Sequence, residues 1–283
     1  MGIQSRAGIL LFISVLLLAL SALLVNTIDM SGEPLFYYVV NSLFVSFGVF
    51  GIPSCLFIFQ NNTYDFGLRS TKASVMLLSF LSGIFAFIIG SILSLICSQL
   101  FDSSKSSVFL PEPSFFSILV VCIVPALTEE IFFRGILLFS WRSLGKRASI
   151  ILTSLFFALM HSRPDSLPAM FFIGCVLGEA AFLSCSVLPS MIMHFSYNLT
   201  SLLLCGTLDI ANLTLESFFK FLPILFLLML FSISAFIFTR SKLLLLFEKE
   251  EVTVLSSKRN RKHFLFPLIA SSVLLAAINV LTF

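Results

Sequence analysis

Charged residues are scarce in this sequence, since Asp, Glu, Lys and Arg make up only 11% of its 283 residues. Soluble domains carry about 25% charged residues, and 58% of this chain is hydrophobic. This composition excludes a soluble globular domain and predicts an all-α, polytopic membrane bundle, because membrane-spanning backbone must satisfy its own hydrogen bonds. Apart from KRNRK at 258–262, no basic stripe interleaved with aromatic residues is present, so we expect no nucleic-acid partner.

Paired cysteines and the usual metalloprotease motif are also lacking. The six cysteines form no CxxC pair, and HExxH does not occur. This excludes a disulfide framework and a cysteine-based zinc site. We interpret the cysteines as small, buried apolar residues within the membrane helices.

Long apolar segments are what the chain has in abundance. A segment of about 18 or more apolar residues is typical of a spanning helix. Such segments lie at 8–26, 36–60, 75–100, 115–141, 168–185, 218–239 and 264–283. Two shorter segments, at 149–161 and 187–204, predict helices buried within the bundle, which gives about nine transmembrane or embedded helices.

The distribution of basic residues predicts the orientation of these helices. With the N-terminus in the cytoplasm, 13 of the 17 Lys and Arg residues fall on the cytoplasmic side. Seven of them lie at 240–262, which we interpret as a cytoplasmic linker at 240–263 that contacts anionic headgroups. We therefore expect the N-terminus inside and the C-terminus outside.

Three ionisable residues interrupt the apolar segment at 115–141: Glu129, Glu130 and Arg134. Each charge at mid-membrane costs about 2.5–3.5 kcal/mol on insertion scales. Glu130 and Arg134 are four residues apart, so they share a helix face and can pair. Glu129 is rotated by about 100° from Glu130, which leaves it free to face a cavity. The alternative is a buried polar network that only fixes the register of the helix.

Two histidines lie in apolar segments further along the chain. His161 follows Phe157 by one helical turn, and His194 precedes Asn198 by one turn. An imidazole and an amide on one face can direct donors at a common point, as an oxyanion requires. Interhelical hydrogen bonding is the alternative for both histidines. Glu179 is a further intramembrane acid to which the sequence assigns no role.

Taken in order, E-E-x-x-x-R at 129–134, F-x-x-x-H at 157–161 and H-x-x-x-N at 194–198 resemble the CPBP family of intramembrane proteases. That family includes the type II CAAX prenyl endopeptidases and the Abi-type bacterial proteins linked to bacteriocin processing and self-immunity. The resemblance covers about 115–204. It divides a single transmembrane domain, 1–283, into N-terminal helices at 1–114, a catalytic core at 115–204 and C-terminal helices at 205–283.

The resemblance implies a core of four helices around a conical cavity and an intramembrane endopeptidase activity. It implies that Glu129 and His161 activate a water, and that His194 and Asn198 stabilise the oxyanion. Glu130, Arg134 and Phe157 would support the site. We expect no cofactor, but a zinc-dependent version, with Glu129, His161 and His194 as ligands, is the alternative because such sites need three protein ligands.

Two other functions stay open at this point: a catalytically silent membrane immunity or scaffold protein, and a proton-coupled transporter with an acid–histidine relay. We expect membrane lipids and a membrane-associated peptide or protein substrate as partners. The expected location is a bacterial cell membrane.

Overall fold

The computed structural model describes residues 2–27, 34–62, 64–100, 111–161, 166–205, 215–247 and 267–276, and these residues contain helices but no strand. The regular α-helices are α1 Ile3–Thr27, α2 Pro34–Leu43, α3 Ile52–Gln60, α4 Ala73–Leu100, α5 Phe115–Ser117, α6 Val124–Glu130, α7 Lys146–Leu159, α8 Leu167–Ser184, α9 Leu188–Cys205, α10 Leu215–Phe247 and α11 Pro267–Ala276. Three π-helical segments, Phe44–Gly51, Ile118–Ile123 and Ile131–Leu138, join neighbouring α-helices into longer rods.

The predicted all-α membrane bundle is confirmed. Among the described residues, six helical segments are long and apolar enough to cross a membrane. They are Ile3–Leu24, Tyr38–Gln60, Ala73–Ser98, Phe115–Leu138, Leu167–Ser184 and Leu222–Leu246. Each of the nine predicted apolar segments contains a helix, including the two short ones that carry the histidines.

Two predictions are wrong in detail. The helix predicted to end at 239 continues as α10 to Phe247, because the apolar run LLLLF extends it beyond Arg240. The linker therefore begins later than expected, and its residues 248–263, with KRNRK, lie outside the described part of the chain. Cys55 is exposed on the outer surface of α3, whereas Cys122 is buried as expected. A lipid-facing position suits an apolar thiol as well as a core position does.

Two of the π-helical segments end two residues before a proline. Phe44–Gly51 precedes Pro53, and Ile118–Ile123 precedes Pro125. Proline has no backbone N–H, and its ring clashes with the carbonyl four residues earlier. A wider turn relieves that clash and leaves carbonyl groups open to other donors. The rod with the acidic motif, Phe115–Leu138, is therefore irregular on both sides of Glu129.

Helices α4 and α9 pack closely because glycine lies at their contact. A Cβ atom on Gly83 of α4 would lie 1.9 Å from Ser196 Oγ and 2.2 Å from the Met193 carbonyl oxygen. Gly90 makes a similar approach to the Tyr197 hydroxyl, 2.9 Å from the ideal Cβ position. Such close backbone approach is typical of small residues between membrane helices. It holds the turn of α9 that carries His194 against α4.

Connecting segments meet at one end of the bundle, which we call the basic end and define by residues 61–62, 64–72, 141–147 and 185–187. The Val187 N–H donates to the Gly67 carbonyl, and the Tyr64 hydroxyl lies 3.1 Å and 3.0 Å from the Gly135 and Ile136 carbonyl oxygens. Burial raises the pKa of Tyr64, so the hydroxyl stays neutral and keeps its proton. The loop 64–72 thus connects the acidic-motif rod to the start of α9.

Candidate active site

A fully buried ion pair lies at the centre of the candidate site. Arg134 Nη1 donates to Glu130 Oε1 at 2.7 Å, and both side chains are 0% exposed. Arg134 Nη2 donates to the Gly174 carbonyl at 3.1 Å, where a Cβ on Gly174 would already touch Ser154. Glu130 and Arg134 thus form the ion pair that their spacing of four residues predicts. The close packing of α8 on α7 places the Gly174 carbonyl as a second acceptor for the guanidinium.

His194 binds the same carboxylate from another helix. Its Nδ1 lies 2.8 Å from Glu130 Oε1, and the imidazole is 4% exposed. An ionised carboxylate only accepts hydrogen bonds, so Nδ1 carries the proton. The Nε2 atom of His194 remains available to contact water or a substrate. Nothing in the sequence indicated this contact, because Glu130 and His194 are separated by 64 residues and no local spacing relates them.

The aromatic ring of Phe157 connects the other functional groups. Its centroid lies 4.6 Å from that of His161 and 5.8 Å from that of His194, and the Arg134 guanidinium lies over it at 4.5 Å. A guanidinium within about 6 Å of a ring centroid is stabilised by the ring quadrupole. Phe157, which is buried, therefore brings α7, α9 and the acidic-motif rod to one place.

His161 lies two residues beyond Leu159, the last residue of α7, and its imidazole turns back onto the same helix. Its Nδ1 lies 2.7 Å from the Phe157 carbonyl oxygen. A carbonyl accepts but cannot donate, so Nδ1 is again the protonated nitrogen and neutral His161 presents an unprotonated Nε2. Both histidines are thus held by Nδ1, one by a backbone carbonyl and the other by a carboxylate.

Asn198 is held through the irregular backbone of the acidic-motif rod. Its Nδ2 donates to the Val121 carbonyl at 3.2 Å. Val121 lies four residues before Pro125, which has no N–H to offer that carbonyl. The proline therefore creates an acceptor that Asn198 satisfies, and the second N–H of the amide remains. In the sequence, Pro125 indicates that a backbone carbonyl lacks its helical donor, but it does not indicate which side chain replaces that donor.

Glu129 is buried at 9% exposure on the turn next to the ion pair. Its Oε2 atom and the Arg134 Nε atom are buried without a hydrogen-bond partner among the described residues. Buried polar atoms of this kind in a native fold commonly bind ordered water.

Glu179 does not join this cluster. It lies between Lys146 and Arg240 and lines a cleft formed by α4, α8, α9 and α10, together with apolar residues. The conical cavity that the resemblance implies remains a prediction, because neither Glu130 nor any other residue of the three motifs lines this cleft.

The arrangement does not fit a three-ligand metal site. Among the described residues, no three His, Cys, Asp or Glu side chains lie close enough together to bind one ion. Zinc at a catalytic site takes three protein ligands and one open position. Glu129, His161 and His194 do not form such a set here.

A comparison with protein families gives one match. Residues 111–200 match the family described as type II CAAX prenyl endopeptidase Rce1-like. The match contains all three motifs and confirms the predicted family. No curated protein and no solved structure matches the chain.

Proposed function

We propose that this chain, whose residues 111–200 belong to the type II CAAX prenyl endopeptidase Rce1-like family, hydrolyses peptide bonds of membrane-associated peptides or proteins within the bilayer. One observation carries the proposal: the Phe157 ring contacts His161, His194 and Arg134, while Glu130 binds both Arg134 and His194. Three motifs that are distant in sequence thereby meet around one buried cluster.

Peptide hydrolysis needs a base for the water, a proton for the leaving amine and stabilisation of the oxyanion. Glu129 is the proposed base, because it is a buried carboxylate whose Oε2 has no partner among the described residues. Once it has taken a proton from water, the same carboxylic acid can protonate the leaving amine. Glu130 Oε2 is likewise buried without a partner among the described residues, but Glu130 Oε1 accepts from both Arg134 and His194, so we assign this carboxylate to holding those two groups.

The two imidazoles and the amide complete the proposed chemistry. Neutral His161 offers Nε2 as an acceptor that orients the same water, since its Nδ1–H is used by the Phe157 carbonyl. A doubly protonated His194 would donate from Nδ1 to Glu130 and from Nε2 to an oxyanion. The second N–H of Asn198 is the other proposed donor.

Metal-free hydrolysis is part of this proposal, and a chelator tests it. The donor geometry described above does not fit zinc, so no step is assigned to a metal. We expect ortho-phenanthroline or EDTA to leave the rate of cleavage unchanged. Loss of activity that added zinc restores would overturn the metal-free route and leave the endopeptidase assignment intact.

Replacement of Glu129 tests the proposed activity itself. We expect Glu129→Gln to reduce cleavage about 10²–10⁴-fold, the usual contribution of a positioned acid–base group. The matched control is Glu112→Gln, because Glu112 is an exposed acid within the same family match. Mass spectrometry of membrane peptides from cells that make either variant measures the loss of products. Thermal unfolding of both proteins verifies that they fold.

Identical peptide products from the wild type and Glu129→Gln would contradict the assignment of Glu129 as the base. If no product depends on the protein at all, the immunity or scaffold alternative takes its place. The proposed setting is a bacterial membrane with the basic end in the cytoplasm. Bacteriocin processing or self-immunity is the biological context that the family resemblance favours.

A further inference from the structure

A second charged cluster lies outside the candidate active site and joins three helices. Arg240 of α10 donates to Glu179 of α8 through Nε at 2.8 Å and Nη2 at 2.6 Å. Lys146, the first residue of α7, donates to the same carboxylate at 3.2 Å. Two cations thus share one anion, which leaves a net charge of +1 on the cluster.

Hydrogen-bond donors of this cluster remain free. Lys146 uses one of its three N–H groups on Glu179, and Arg240 Nη1 makes no contact with another described residue. The Lys146 and Arg240 side chains are 40% and 42% exposed. An anion that approaches from outside can therefore bind to both cations without displacing Glu179.

The cluster lies at the depth of lipid headgroups. Glu179 is five residues before the end of α8, or about 7.5 Å along the helix, and Arg240 is six residues before Leu246, or about 9 Å. Both helix ends are at the basic end of the bundle. Basic side chains near the end of a spanning helix reach the interface between acyl chains and headgroups.

An apolar cleft adjoins the charges on the membrane side. Its deeper walls contain Val176 of α8 and Phe236 of α10, beside Met193 of α9, and Leu183, Leu243 and Leu244 line the part nearer the helix ends. Helix α10 is held here by the Arg240–Glu179 contact and by the Ser82–Thr239 hydrogen bond at 3.1 Å. A cation pair above an apolar wall is complementary to an anionic headgroup and the first carbons below it.

We propose that this cluster and cleft bind one anionic phospholipid of the surrounding leaflet. Its phosphate contacts Lys146 and Arg240, and its glycerol and upper acyl carbons lie against Val176 and Phe236, which are about one helical turn deeper in the membrane. The site is distinct from the candidate active site, because none of Glu129, Glu130, His161 and His194 lines the cleft. The bound lipid then joins α7, α8 and α10.

Native mass spectrometry of the detergent-purified protein, titrated with phosphatidylglycerol or phosphatidylcholine, tests this site. The variants are Arg240→Gln and Lys146→Gln. Their matched controls are Lys242→Gln and Arg147→Gln, which remove the same charge from exposed positions near the same helix ends and do not pair with Glu179. Circular dichroism verifies that each variant is folded.

We expect phosphatidylglycerol to bind in preference to phosphatidylcholine. Arg240→Gln and Lys146→Gln should each weaken it about fivefold, the factor that about 1 kcal/mol per basic residue gives. The two control variants should change it by less than about twofold, because surface charges away from the site are screened by salt. Glu179→Gln should strengthen binding, since it removes the internal anion.

Equal weakening in all four charge variants would overturn the proposal, because it would reveal a diffuse attraction to the basic end. Absence of any preference for phosphatidylglycerol would overturn it as well. None of these measurements depends on proteolysis, so they test the phospholipid site independently of the proposed peptidase activity.

Discussion

Two acid–arginine pairs in this protein have the same spacing and opposite surroundings. Glu130–Arg134 lies inside the bundle with both side chains 0% exposed, whereas Asp65–Arg69 lies in a loop with both 59% exposed. In both, the arginine follows the acid by four residues. The buried pair binds a third group, His194, while the exposed pair borders the Gly67 turn. Spacing alone therefore predicts a contact, and burial decides whether that contact supports chemistry.

The largest effect on stability is expected from breaking the buried pair on one side. Arg134→Met leaves the Glu130 carboxylate buried without its cation, which costs about 3–5 kcal/mol in comparable cases. The double variant Arg134→Met with Glu130→Gln removes both charges and should recover much of that loss. Thermal unfolding in detergent measures both. A double variant as unstable as the single one would contradict the view that an uncompensated charge is the cause.

An intermediate effect is expected at Gly83, which determines how closely α9 approaches α4. Gly83→Ala places a methyl group against Ser196 and the Met193 carbonyl, and overpacking of this kind costs about 1–3 kcal/mol. His194 lies within the displaced turn, so cleavage should fall more than stability does. The matched control is Gly48→Ala, where the nearest atom would be at an ordinary 3.7 Å. Equal losses in both variants would show that the α4–α9 contact has no special role.

The smallest effect is expected at the exposed pair. Burial disfavours the Asp65 carboxylate, but the Gly67 N–H and Arg69 outweigh it and hold the pKa of Asp65 below 3.8. Because the folded-state pKa is depressed, this stabilisation is present above the unfolded-state value and is lost as the pH falls through the folded-state value. Asp65→Asn should cost about 0–1 kcal/mol at neutral pH. A cost as large as that of Arg134→Met would refute the dependence on burial.

Much of the architecture followed from hydrophobicity. The nine apolar segments predicted the helices, because a bilayer requires long apolar runs whose backbone bonds are internal. The end of α10 was missed because Arg240 and Lys242 resembled the start of a linker, although the apolar residues 243–247 continue the helix. Arg240 and Lys242 lie near the helix end, so both cations can reach polar surroundings.

The residues of the candidate site could be predicted from the sequence, but the contacts that join them across helices could not. The positions of Glu129, His161, His194 and Asn198 could be selected because polar groups are costly in apolar segments. Their assigned roles stay predictions. The Glu130–His194 bond, the contacts of Phe157 and the Asn198–Val121 bond each join residues from different helices. Local spacing carries no information about such partners.

Composition and apolar run length determined that this protein is a helical membrane bundle, and three charged or polar motifs determined where its chemistry should be sought. Only the tertiary structure decided which nitrogen of each histidine is occupied, since that depends on the acceptor that packing brings to Nδ1. It also showed different surroundings for two acids that both interrupt apolar segments, Glu129 and Glu179. The first is enclosed among helices beside a buried ion pair, and the second is partly exposed near the end of α8 and pairs with Lys146 and Arg240. The physical reason is that hydrophobicity acts on each segment by itself, whereas partners and burial arise only when the helices pack together.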